Sequence, residues 1–196
     1  SYFAAKGAGF SFLTTTLSAS AALLTWCLIE WFRDGKPTAV GAATGAVAGL
    51  VGITPAAGFV YMPQAFIIGV ATAAACYIAV QVKSAIQFDD SLDAYAVHGV
   101  GGTIGALLTG ALAAPALVPA DYFPKSAEIL ANGGNAALFV AHVKAVLISY
   151  GFVGIGTAII LWIVGAVVGL RVTPEQEERG LDFVAHGEEA YDPMTY

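Results

Sequence analysis

Between Lys36 and Lys83 the chain carries no Asp, Glu, Lys, Arg or His, and this uncharged run limits what it can fold into more than any other feature. A helix needs about 20 apolar residues to cross the ~30 Å hydrocarbon core of a bilayer. The run from Pro37 to Val82 is far longer than one crossing, so it predicts two spans joined by a turn. Composition agrees: 58% of the 196 residues are hydrophobic and 11% charged, with a mean hydropathy of +0.75, against roughly 25% charge in a soluble domain. The formal net charge is −6, and seven acids against two arginines fall between Arg171 and Tyr196. Much of the imbalance therefore belongs to a polar C-terminal tail, and nothing resembles a surface for nucleic acid. Cys27 and Cys76 stand in separate apolar segments away from any Cys/His cluster. They read as small core residues, with no metal site, cofactor or disulfide framework expected. Ser1 is followed by no charged n-region and cleavage site, so no signal peptide is expected, and the chain is read as processed or as part of a longer one.

Apolar runs and breakers predict an all-α membrane protein with five transmembrane helices, over about 10–32, 38–60, 64–82, 92–113 and 137–170, and a cytoplasmic tail over 171–196. The cluster "WFRDGKP" suits a membrane interface and a turn, and Pro55 kinks or ends the second helix. Short loops rich in Lys and Arg stay in the cytoplasm. With the C-terminus inside, Arg33, Lys36, Lys83, Arg171 and Arg179 are cytoplasmic while Lys6 and Lys125 are outside, which favours the N-terminal end outside. Gly41, Gly45, Gly49 and Gly52 form a stripe on one face of the second helix, read as a packing seam where backbones approach closely in lipid.

His98 is the residue that needs explaining. The fourth span starts beside Asp89, Asp90 and Asp93. At ~1.5 Å per residue, the step from Asp90 carries the imidazole about 12 Å inward, too deep to snorkel. Asp90, Ala94, His98 and Gly102 share a face through i, i+4 spacing. Two readings stand: His98 hydrogen-bonds a neighbouring helix and holds the bundle together, or it lines a conduction path and handles a proton, having one donor and one acceptor nitrogen and a pKa near neutrality. Either way its ring is expected to face the bundle interior rather than lipid.

Three stretches carry a resemblance: "GKPTAVGAATGAVAGLVGITPAAGFV" at 35–60, "DDSLDAYAVHGVGGTIGALLTG" at 89–110 and "GLRVTPEQEERGLDFVAHGEEAY" at 169–191. In this order they resemble the C-terminal part of the ammonium transporters of the Amt/Mep/Rh superfamily. The resemblance implies a homotrimer whose subunits, of about eleven spans, each hold a pore between two pseudo-symmetric five-helix halves of inverted topology. The five spans here are similar to the seventh to eleventh. His98 is then similar to the second of two pore histidines that relay a proton, Ala94 to a small pore-lining residue, and Asp90 and Asp93 to acids that support the helix entrance. In the tail, Glu177, Gly180, Asp182, His186, Gly187, Glu188 and Tyr191 repeat the family pattern, although the charges alone suit an ordinary solvated terminus. The implied role is a folded cytoplasmic segment that packs under a neighbouring subunit, couples the pores and, in some members, docks a PII-type regulatory protein.

The departures matter equally. The partner pore histidine, the aromatic outer gate and the acidic recruitment site belong to the N-terminal half that this sequence lacks, and His142, near the outer end of the fifth helix, and His186, in the tail, cannot stand in for the partner. The expected function is transport of ammonium or ammonia across the cell membrane, not enzymatic catalysis. An ammonium sensor or a non-conducting structural subunit are the alternatives, and a lone chain of this length is expected not to conduct.

Overall fold

The structure is a computed structural model that describes residues 6–118 and 120–188. Among the described residues every regular element is helical. The chain divides into two compact units, Ser1–Leu147 and Ile148–Tyr196.

The first unit is built on close helix contacts. Helix α1 spans Lys6–Asp34, α2 Ala39–Ile53 and α3 Met62–Ala85. The glycine stripe of α2 lies against α1 in antiparallel register, stepping by four on each helix. A Cβ on Gly41 would strike the Glu30 carboxylate, one on Gly45 would come within 2.6 Å of the Trp26 Cβ, and one on Gly49 within 2.6 Å of the Ser18 carbonyl and the Ala22 Cβ. Gly52 turns to Thr72 of α3. The three missing side chains at Gly41, Gly45 and Gly49 thus let α1 lie almost backbone to backbone on α2, where the Ser18 hydroxyl donates to the Gly49 carbonyl at 3.0 Å. At the start of α2 the Thr38 hydroxyl accepts from the Gly41 N–H (2.9 Å) while its own N–H donates to Glu30 at 2.7 Å. An α1 carboxylate thereby satisfies donors that a helix N-terminus leaves open.

Helix α2 is shorter than its apolar run implies. It stops at Ile53, and residues 54–59 form successive turns, with Ala56 N–H donating to Ile53 O at 2.8 Å and Phe59 N–H to Ala56 O at 2.8 Å. The expected span over 38–60 is corrected to 15 residues, because Pro55 has no N–H with which to continue the ladder. Among the described residues four helical stretches are long and apolar enough to cross a membrane, Gly7–Asp34, Met62–Ala85, Tyr95–Leu112 and Pro124–Val167. The first and third spans extend beyond the expected 10–32 and 64–82. The fourth, expected from residue 92, begins after a loop, with a π-turn at Tyr95–Gly99 followed by helix α4 at Val100–Leu112. Helix α5, Pro124–Val167, starts well before the expected residue 137, and Gly134 (φ 63°, ψ −163°) breaks it internally.

Among the described residues the core holds three clusters. Trp26, Ala48, Cys76, Tyr77 and Val97 form one, with the Trp26 and Tyr77 rings edge to face at 5.2 Å. Ile53, Ala56, Val60, Ala65 and Ile68 form the second, and Ala113, Leu130 and Leu138 the third. Cys76 is buried and its Sγ lies 3.6 Å from Val97 O, while Cys27 is half-buried. In the second unit α5 ends at Val167, followed by helix α6, Pro174–Arg179, and a π-turn at Asp182–His186.

Candidate functional site

The loop between α3 and the π-turn brings Asp90, Asp93, Ala94 and His98 together at one end of α4. The Asp90 carboxylate accepts from three consecutive backbone N–H groups, those of Ala94 (2.9 Å), Tyr95 (2.9 Å) and Ala96 (3.3 Å). These are donors without intrahelical partners, and the negative charge sits at the positive end of the helix dipole. Asp93 adopts a left-handed φ of 54°, tolerated better by Asp than by most side chains, and its carbonyl accepts from Val97 N–H at 2.8 Å. Lys83, in the last turn of α3, pairs with the Asp93 carboxylate and donates to Asp90 O at 2.7 Å. In the sequence Lys83 stands out only as a basic residue that orients the chain. Its distance of seven and ten residues from its partners, across a turn, carries no helical periodicity by which to find it.

His98 lies in the π-turn and is exposed on the surface of this bundle, as is Ala94. Ala96 and Val97 occupy the inner side of the turn, and Gly101, Gly105 and Thr109 continue that inner face along α4. One residue is a rotation of about 100° around a helix, so burial of Val97 and Gly101 turns His98 outward. The expectation that the ring faces the interior is corrected in this respect: within this chain it faces away from α2 and α3. Asp90 and Gly102, expected on the same face, are half-buried. π-Turns inside helices occur frequently at functional sites. Beside this one Ala79, Val82, Lys83, Tyr95, Ala96 and Val100 line an apolar groove of about 280 Å³.

At the other end of α4, α5 grips backbone carbonyls. The His142 Nδ1–H donates to Ala106 O at 2.6 Å, and Asn135 Nδ2 donates to Ala113 O at 2.8 Å. A carbonyl can only accept, so the His142 proton is on Nδ1 and Nε2 is left as the acceptor of the neutral ring. Ala106 lies eight residues beyond His98, on the order of 12 Å along the helix. His142 thus serves helix packing, and with Phe59, Thr109, Phe123 and Ser126 it lines a cavity of about 150 Å³. Among the described residues no group of three or more His, Cys, Asp and Glu side chains is placed to hold a metal ion.

In the second unit, Thr173 and Gln176 form a reciprocal capping box at the start of α6. Glu175 in that first turn is held below the usual carboxylate range, first by its own backbone N–H and then by the Thr173 hydroxyl. Glu177 O accepts from Gly180 N–H at 3.2 Å, and Gly180, with φ 86°, ends the helix. This is a backbone angle that side chains rarely adopt, and a Cβ there would come within 2.6 Å of Asp182 Oδ1. Asp182 and His186 bound the π-turn, and Gly187 closes it at φ 69°. Arg179 stacks on Phe183 at 5.2 Å. Glu177, Asp182, His186, Gly187 and Glu188 are exposed, while Tyr191 lies outside the described residues.

The family model described as the Ammonium Transporter Family matches residues 2–191. The chain belongs to the ammonium transporter family. It is 41% identical over 186 residues to an ammonium transporter of Bacillus subtilis, covering 93% of this chain and 44% of that one. It is 40% identical over 200 residues to ammonium transporter MEP2 of Saccharomyces cerevisiae, covering 96% and 38%. The crystal structure of S. cerevisiae Mep2 superposes with a TM-score of 0.71 at 40% identity, over 88% of this chain and 41% of that chain. A structure described as a sensor Amt protein superposes with a TM-score of 0.79 at 29% identity, over 94% and 43%. The chain therefore spans less than half the length of these relatives, and it is a multi-pass helical membrane protein of their family.

Proposed function

We propose that this chain forms the C-terminal part of a pore that carries ammonium or ammonia inward, with His98 as one member of a proton relay and Ala94 lining the route beside it. The observation that carries the reading is the outward-facing imidazole of His98 on a membrane-length apolar helix. An imidazole exposed to hydrocarbon loses its hydrogen bonds without compensation, so this face calls for a cover, and the N-terminal half of the transporter is the cover proposed. Burying a cation in a narrow apolar pore is costly, whereas neutral ammonia crosses readily, so the route must part the proton from the ammonia. An imidazole with one donor and one acceptor nitrogen is suited to pass that proton on. Asp90 and Asp93 support the entrance of the helix by holding its first turn.

The assembly proposed is a homotrimer in the cell membrane, with the N-terminal end of this chain outside and the C-terminus cytoplasmic. In it Glu177, Gly180, Asp182, His186, Gly187, Glu188 and Tyr191 form a regulatory tail that couples the subunits and offers a face to a PII-type protein. The test is uptake by cells lacking their own ammonium transporters and expressing the native protein at full length. His98→Ala is expected to alter ion-coupled uptake while the protein remains assembled at wild-type level. Unchanged currents and uptake in that variant would remove the relay from His98. The likeness to a sensor Amt protein supports a second reading, in which the same site binds ammonium and signals with little flux; saturable binding without uptake by the wild-type protein would favour it.

A further inference from the structure

We infer that Lys83 is a positioning residue for His98, acting through the loop that joins α3 to the π-turn. This rests on the reading of His98 as a relay residue.

Asp89, Asp90 and Asp93 fall within five residues, and the Lys83 ammonium makes two contacts with this segment, the Asp93 carboxylate and the Asp90 carbonyl. Its side chain is 17% exposed and that of Asp93 33%, so the pair is screened by water less than a surface ion pair would be. Both residues it holds are in turn tied to the start of the next helix. Asp90 carries the N–H groups of Ala94, Tyr95 and Ala96, and Asp93 takes the Val97 N–H on its carbonyl. Asp93 sits at a left-handed φ, a conformation that persists where its surroundings over-determine it. Here the ion pair supplies that constraint. One ammonium therefore clasps the loop at its two helix-capping residues, and the chain passes directly from Val97 to His98. With Lys83 removed, Asp93 keeps a half-buried charge without its partner and a strained backbone, so the π-turn loses its anchor while the glycine seams of α1, α2 and α3 are untouched. Bundle stability and His98 placement are thereby separable.

The experiment uses the native full-length protein in nanodiscs, with histidine labelled by ¹³C at Cε1 and the His98 resonance assigned by its absence in His98→Ala. Lys83→Met is expected to shift the His98 resonance, leave that of His142 in place, and speed amide exchange over residues 94–98 by about tenfold, the scale of a lost charge-assisted hydrogen bond. Lys83→Arg is expected to restore both. Asp93→Asn keeps a side chain that tolerates left-handed backbone while dropping the charge, and it is expected to move His98 in the same direction; it decides the matter should Lys83→Met fail to fold. A His98 resonance that stays put in the folded variant, or exchange that rises equally across α1–α3, overturns the inference. Ammonium uptake by the wild-type protein is measured separately: its absence would sink the transport reading, while the resonance and exchange data still judge the clasp.

Discussion

At the scale of single residues, the absence of a side chain decides as much as any side chain does. Gly49 is the sharpest case, since a methyl group there would meet the Ser18 carbonyl and the Ala22 Cβ at 2.6 Å and the Ala19 Cα at 2.8 Å. None of these is the tip of a flexible chain, so the helices must separate. Separation also lengthens the Ser18 hydroxyl bond to Gly49 O. Gly49→Ala is therefore expected to cost about 1–3 kcal/mol, the range for overpacking a tight core, read as a lower temperature of half-inactivation in detergent. Gly151 has open space around its missing Cβ and serves as control: Gly151→Ala is expected to leave that temperature unchanged or raise it slightly through helix propensity. Equal losses at the two positions would show that the seam does not hold α1 to α2. The stripe was legible in the sequence as a seam, but its partners, Glu30, Trp26 and Ala22, were not. Several faces of α1 are similarly apolar, and only contact selects one.

At the scale of elements, helix ends are where side-chain chemistry governs the backbone. Glu175 shows this without the complication of a membrane. Its carboxyl is held below the usual range by its own backbone N–H and by the Thr173 hydroxyl, bonds that favour the charged form. The folded-state pKa is thus depressed below the unfolded value, so the stabilisation of α6 is present above about pH 4.3, the ordinary glutamate value, and is lost as the pH falls through the lower folded value. Amide exchange of Gln176 and Glu177, corrected for its intrinsic pH dependence, is expected to show less protection at pH 3 than at pH 6, and Glu175→Gln is expected to abolish most of that difference. A pH dependence that survives in Glu175→Gln would assign the effect to the neighbouring acids Glu177 and Glu178. The π-turn at Tyr95–Gly99 belongs to this scale too. Helical periodicity did not place His98 around the axis, because Val97 and Gly101, one residue from His98 and Gly102, were the ones to meet Cys76.

For the whole molecule, the proposed pore has a consequence that can be tested. His98 and Ala94 are exposed on the first unit, and in the proposed pore one wall alone would enclose no path. Purified and reconstituted by themselves, these residues are expected to carry no saturable ammonium flux in a stopped-flow liposome assay, whereas the full-length protein is expected to carry it. Saturable flux through the 196-residue chain alone would replace the present reading with a pore formed between two copies.

What the sequence determined by itself was the solvent and the class of fold. Charge-free runs longer than one bilayer crossing leave helices as the solution for backbone hydrogen bonding, and three ordered motifs identify the family. It also singled out Asp90, Asp93 and His98, since ionisable groups beside or within apolar helices are rare enough to stand out. Tertiary structure alone decided which way they point and what holds them. The end of α2 at Ile53 followed from turns around Pro55, the break in α5 from the backbone at Gly134, and the Lys83 clasp from a loop that folds two sequence-distant residues onto one ammonium. Periodicity describes positions along one helix, whereas contacts between helices depend on rotations and loop paths that no single segment encodes.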